Sequence, residues 1–354
     1  MEMRAAVSAP PVEESIDYRA HRLVADLHAP NVRVYWSDLL ITSAVGWVAF
    51  RFGMVAAPFS PIQGAALVIA SFALYRSLCF IHELTHLRRG SIRGFETAWN
   101  LLVGAPLLMP SFAYVGVHQN HHNLSTYGTV EDPEYLPFSS SHWISVFFVI
   151  HSVVIPLALL VRFLVLAPAA LLVPRVREWV VVHASSLSMN MAYRRKSTPA
   201  LVASMRRSEL GILALWSGAG LLAWNFGMGW RLLACWYAVT AFVSVVNTLR
   251  TLAAHRYEGS GEPRDRAGQL ADSVDVPGSA WTALWAPVGL RYHALHHYFP
   301  GIPYHNLRAA NQRLLQSLPE DALYRTVSSP SLIDALRGLY RRGKSAARGY
   351  RTEH

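Results

Sequence analysis

Cysteine is nearly absent from this 354-residue chain: it has two, Cys79 and Cys235, each inside an apolar run. Two thiols cannot build a disulfide framework or hold a four-cysteine iron–sulfur cluster, so both are read as small core residues. Charge is scarce as well. Asp, Glu, Lys and Arg make up 15% of the chain, against about a quarter in soluble domains. No GxGxxG turn is present, so the chain carries no sign of its own dinucleotide site. Residues 1–38 lack the apolar centre of a signal peptide, and the N-terminal segment is expected on the cytoplasmic side. Internal repeats and low-complexity stretches are also missing.

What remains is 52% hydrophobic and carries a net charge of +10. Low charge with long apolar runs indicates a membrane protein, in which surplus Lys and Arg mark the cytoplasmic face. The basic residues flank apolar segments and form no separate basic domain, so nucleic acid is not an expected partner. Residues 39–57 and 62–82 are two apolar runs joined by a short turn between Pro58 and Pro61. Each is long enough to cross a bilayer, and together they make a hairpin. Arg51 and Arg76 lie toward the ends of these runs, where long side chains reach the interface. Residues 210–227 and 230–251 form a second hairpin, turning at Gly227-Met228-Gly229. Two further runs, 98–117 and 143–173, are interrupted by prolines (Pro106, Pro110, Pro156 and Pro168). We read 98–117 as re-entrant or interfacial. We read 143–173 as two shallow helices or a hairpin dipping into the bilayer, because a single crossing would place the Arg194-Arg195-Lys196 cluster outside. A short helix is expected around 13–29.

The expectation is therefore an all-α integral membrane protein. It has about four transmembrane helices in two hairpins, interfacial helices and a histidine-rich cytoplasmic cap. Three parts follow: a cytoplasmic N-terminal segment 1–38, a membrane domain 39–315, and a basic cytoplasmic tail 316–354. The expected location is a bacterial inner membrane, with the site on the cytoplasmic side.

Eight of the 16 histidines fall in three clusters. They are His82-Glu83-Leu84-Thr85-His86, then His118-Gln-Asn-His121-His122, then His293-Ala-Leu-His296-His297. His255 is a ninth, at the end of a spanning run. Two histidines four apart share one helix face, about one turn from each other, and can reach one metal. Zinc closes its shell with about four ligands, so nine imidazoles exceed one zinc. Two metals with four or five nitrogens each account for them. Imidazole suits iron, copper, nickel and zinc, and oxygen-activating chemistry favours the redox metals. Embedding in a membrane makes a lipid chain the expected substrate. Iron with dioxygen attacks an unactivated C–H bond, which no ordinary side chain does.

The three boxes resemble those of the membrane fatty-acid desaturase and hydroxylase superfamily, in order and spacing. The flanking Tyr298-Phe299-Pro300-Gly301-Ile302-Pro303-Tyr304-His305-Asn306-Leu307 is similar too, as is Arg250-Thr-Leu-Ala-Ala-His255. The resemblance covers roughly residues 40–315. It implies two iron ions held by His82, His86, His118, His121, His122, His255, His293, His296 and His297. It implies O2 and a lipid acyl substrate, with electrons from an external ferredoxin, rubredoxin or cytochrome b5 type of donor, since no His-Pro-Gly-Gly haem core is present. It places an O2-dependent desaturase first and a di-iron hydroxylase of a lipid or hydrocarbon second. One departure stands out. Animal-type acyl-CoA desaturases have an asparagine four residues before the ligand matching His255, where this chain has Thr251; Asn247 lies eight before.

His82-Glu83-x-x-His86 is also the zinc-metalloprotease signature, with Glu83 as general base. That reading needs only one further ligand and leaves six histidines without a role. A metal carrier or structural protein is the remaining class, and it would predict more polar residues at bilayer mid-depth. Glu83, Asp132 and Asp272 (with Asp275 beside it) are expected to orient ligand imidazoles through their N–H groups. His142 and His305 are expected to be structural.

Overall fold

The computed structural model describes residues 16–88 and 90–352. Among them no β-strand forms; only isolated bridges such as His255 with Ser273 and Asp275 with Tyr292 tie loops together. Of the expected helix over 13–29, the part beyond Ile16 is α1 (Ile16–Val24) followed by a 3-10 turn over Ala25–His28, while 13–15 lie outside the described residues.

The first hairpin is α2 (Val32–Val55) and α3 (Pro61–Leu78), which continues after Cys79 into α4 (Phe80–His86). Asn31 starts α2 by accepting from the amides of Arg33 and Val34 at 3.1 and 3.3 Å. Ser60 caps α3 by accepting from Gln63, and Pro61 occupies the first turn, where its missing N–H has no helical partner to lose. Gly46 and Gly53 set the distance between the arms. A Cβ at either would lie 2.7 Å from Leu74 or Leu67, so only glycine lets the helices approach this closely.

Residues 95–122 build no spanning helix. They hold α5 (Phe95–Trp99), a π-turn over Asn100–Gly104, a 3-10 turn over Ser111–Ala113, and α6 (His118–His122). Then come α7 (His142–Ser152), α8 (Ile155–Leu160), a π-turn over Val161–Leu166, α9 (Ala167–Leu172) and α10 (Pro174–His183). The second hairpin is α11 (Pro199–Asn225) and α12 (Gly229–Ala254), joined through Gly227 at φ +65°, a conformation glycine adopts without strain.

Among the described residues, four helices are long and apolar enough to cross a membrane: Val32–Val55, Pro61–His86, Ile155–Leu172 and Gly229–Ala254. The number matches the sequence reading, but the membership differs. Pro156 does mark a break, since α7 ends at Ser152 and the next helix starts at Ile155, so the run 143–173 holds two helices as read; Pro168, also read as a break, sits in the first turn of α9, and Ile155–Leu172 continues through it as one 18-residue unit. Conversely α11 begins at Pro199, well before the apolar run, and its N-terminal half carries Arg206, Arg207 and Glu209. Arg162 and Arg177 pair with Glu209 at 2.7 and 2.6 Å, tying α11 to the third apolar helix and to α10.

The chain closes with α13 (Arg266–Asp272), α14 (Thr282–Trp285), α15 (His293–Tyr298), α16 (Leu307–Ser317) and α17 (Leu332–Thr352). Two main cores result. One fills the space between the hairpins with Tyr35, Leu74, Phe80, Trp99 and Trp236 among others. The other packs α1 against α15 and α16 through Val24, Leu295, Phe299 and Leu314. The histidine boxes lie between these two cores, at the ends of α4 and α12.

Candidate metal centre

Each box sits on a short helix, so its histidines project together. His82 and His86 share one face of α4; His118 and His122 share one face of α6; His293 and His297 share one face of α15. The fold brings all nine candidate histidines into two groups, each able to hold a metal ion. His82, His86, His118, His122 and His296 form one; His121, His255, His293 and His297 form the other. Within each group the ligand atoms lie within 4.8 Å of one another. The groups adjoin: the rings of His122 and His297 stack at 4.2 Å.

The nitrogens converge. In the first group His118 Nε2 to His122 Nε2 is 3.0 Å, and His296 Nε2 stands 3.1 Å from both His86 and His122 Nε2. In the second, His255 Nε2 is 2.8 Å from His293 Nε2 and 3.2 Å from His121 Nε2, and His293 to His297 is 3.1 Å. Both nitrogens of the buried His82 also lack a hydrogen-bond partner among the described residues. Buried polar atoms are seldom left unpartnered. Each group therefore offers a donor set that fits a cation.

Electrostatics favour the ligating form of most of these rings. Burial, and then the neighbouring imidazoles, push His118, His122, His296 and His297 well below the usual histidine value, so they stay neutral. His121 is the exception. Burial alone would lower it, but the Asp132 carboxylate raises it above its ordinary value.

The outer contacts are specific. Asp132, fully buried, accepts from His121 Nδ1 with both oxygens at 3.0 Å and is itself held by the amides of Gly128 and Glu134. Asp272 Oδ2 stands 4.0 Å from His255 Nδ1, and the Tyr127 hydroxyl bridges them at 2.9 Å on each side. Tyr135 donates to the same Asp272 oxygen at 3.0 Å. Glu83 faces elsewhere: its Oε2 accepts from the Tyr35 hydroxyl and, at 3.2 Å, from the Tyr304 amide. Asp275 accepts from the Leu295 amide at 3.1 Å and from Tyr324, which fixes the α15 turn and not an imidazole. His305 accepts from the Asn31 amide and His142 packs on Tyr340; neither joins a metal group.

Two contributors escaped sequence reasoning. Glu134 accepts from His118 Nδ1 at 2.7 Å and from Tyr114 at 3.0 Å, and burial pushes its carboxyl up to about 7. Tyr127 supplies the bridge to Asp272. The available signal for Glu134 was its place two residues after Asp132, the same loop reaching back to the same box.

Comparison with known proteins agrees with this geometry. Residues 57–328 match the fatty acid desaturase family. The chain belongs to the fatty acid desaturase family. It is also 39% identical over 334 residues to a ceramide hydroxylase of Caulobacter vibrioides (strain NA1000 / CB15N), covering 93% of this chain and 94% of that protein. This desaturase-family chain is thus an integral membrane oxidoreductase acting on lipids. The protease reading fails on the site as well, since Glu83 is committed to Tyr35 and Tyr304.

Proposed function

We propose that this chain hydroxylates the lipid chain of a ceramide, with two irons in the two histidine groups and the site on the cytoplasmic side. The observation that carries the reading is the 39% identity to a ceramide hydroxylase along nearly the whole of both chains. Sequence motifs alone had put desaturation first, and the family description still favours it as the second reading.

Iron held by the two histidine groups would supply the activation of dioxygen needed to break an unactivated C–H bond. In hydroxylation, one C–H bond, O2, two electrons and two protons give one C–OH and one water. The chain's own residues prepare that chemistry. Asp132, Glu134 and the Tyr127 oxygen each accept a hydrogen bond from the Nδ1–H of a histidine, which fixes the tautomer and leaves Nε2 free to ligate. The apolar core between the hairpins excludes water from the substrate chain. With no flavin, haem or cysteine cluster motif in the sequence, electrons come from an external ferredoxin, rubredoxin or cytochrome b5 type of protein. The +10 chain attracts acidic partners of that kind.

The deciding experiment supplies ceramide to membranes containing the protein, under isotopically heavy O2, and reads the lipid product by mass. Hydroxylation adds one labelled oxygen. Desaturation removes two hydrogens and leaves no label in the lipid. Unchanged ceramide, with another lipid oxidised, would overturn the substrate assignment.

A further inference from the structure

The arginines of the apolar helices differ in how they are satisfied. Arg76 pairs with Asp38 at 2.5 Å, and Arg162 with Glu209 at 2.7 Å. Arg250, in α12, forms no salt bridge among the described residues. Its Nη2 donates to Asn247 Oδ1 at 3.1 Å, and its Nε is buried with no partner. Asn247 Oδ1 also receives the Tyr75 hydroxyl at 3.4 Å, and that hydroxyl lies 3.1 Å from the Trp285 carbonyl. A polar cluster therefore stands where two apolar helices meet. A buried donor left without a partner is costly, and a polar guest that reached it would remove that cost.

Its position relative to the metals is informative. Arg250 precedes His255 by five residues, about 7.5 Å along a helix axis. Its charge is felt at both His255 and His293. Thus an unsatisfied donor stands only a few carbon–carbon bonds from the metal groups. A substrate entering with a bare hydrocarbon there would leave Arg250 Nε unpaired. Ceramide, which carries an amide carbonyl and hydroxyls next to its chains, would satisfy it.

We propose that Arg250, with Asn247 and Tyr75, receives the amide and hydroxyl oxygens of ceramide and so confines oxidation to carbons near the headgroup. This inference rests on the ceramide reading above. Arg250 acts as a positioning residue for substrate and is not a metal ligand.

The test uses the full chain in lipid nanodiscs, with a fluorescent ceramide and a fluorescent alkane of matched length as probes. Arg250→Leu should weaken ceramide binding by about tenfold or more, the scale of a lost hydrogen bond to a charged group. Alkane binding and iron content should not change. Arg250→Lys should recover part of the loss, and Asn247→Leu should give a smaller loss of the same sign. Products formed by Arg250→Leu should spread away from the headgroup. Equal ceramide binding by wild type and Arg250→Leu would overturn the proposal, as would wild-type oxidation at mid-chain. If wild type prefers ceramide to alkane but oxidises neither by hydroxylation, the hydroxylase reading fails and the headgroup site stands. If hydroxylation persists with no Arg250 effect, the reverse holds.

Discussion

The five-histidine group and the four-histidine group are built from the same boxes but are supported differently. In the four-histidine group, Asp132 backs His121 directly, and Asp272 backs His255 through Tyr127. Both carboxylates are essentially inaccessible to solvent. In the five-histidine group, Glu134 backs His118, while His82 has no outer hydrogen bond among the described residues. A carboxylate behind an imidazole fixes its tautomer and raises its basicity. The four-histidine group thus has carboxylates behind two of its rings, His121 and His255, while Nδ1 of His293 and of His297 has no partner among the described residues. The five-histidine group offers more ligands with less individual support.

The largest test of that contrast removes a ligand from each side. His121→Ala leaves three imidazoles in the weaker-numbered group, and His296→Ala leaves four in the other. Both should abolish lipid oxidation, by more than about 100-fold, because loss of a group that merely supports a ligand already reaches that scale. Metal analysis should separate them: His121→Ala should retain about one iron per chain, and His296→Ala should retain more than one. Equal retention would show that the groups do not differ in reliance on single ligands. The next test acts one layer out. Asp132→Asn should cost about 10- to 100-fold in activity or iron affinity, since His121 then loses the carboxylate that holds it above its normal value. Glu134→Gln should cost less, because four other imidazoles remain around that metal.

Much of this site was legible in the sequence because box spacing is a helical property. Histidines four apart must share a face, and three such pairs at apolar run ends leave few ways to converge. His255 was legible from its position at the end of α12. The supporting layer was only partly legible. Asp132 lies eleven residues from its partner, but Asp272 reaches His255 through a tyrosine 145 residues away in sequence, which no local pattern encodes. Glu83 misled in the other direction: its motif suggested service to the metal, whereas packing against Tyr35 and Tyr304 claims it. In the fold, the sequence pattern located the first hairpin and the break before Pro156, but not the continuity of Ile155–Leu172 through Pro168. Proline reads as a break by composition, yet in the first helical turn it removes no hydrogen bond. The start of α11 was missed for a related reason. Hydropathy detects the apolar half of a helix, and the polar half that carries Glu209 is stabilised by ion pairs from other helices.

Tyr127→Phe is a finer probe of the stronger-backed group. It keeps the ring, and its packing against His121 and Tyr135, while deleting one oxygen. His255 Nδ1 would then face Asp272 across 4.0 Å with nothing between them except the 3.4 Å contact to Ser273. A buried donor left so poorly matched costs about 1–3 kcal/mol, so activity should fall about tenfold, less than for Asp132→Asn.

Glu83→Gln should have the smallest effect, since the amide oxygen can still accept from Tyr35 and from the Tyr304 amide. Iron content should stay at the wild-type level and lipid oxidation should fall by no more than about threefold, the loss expected when a charged hydrogen bond becomes a neutral one. The Tyr304 contact links the first box to the loop after the third, so a larger loss accompanied by loss of iron from both groups would mean that Glu83 holds the two halves of the cup together. Loss of activity with both irons retained would instead place Glu83 in the chemistry, and the contrast between the groups would then have to include a carboxylate on the five-histidine side.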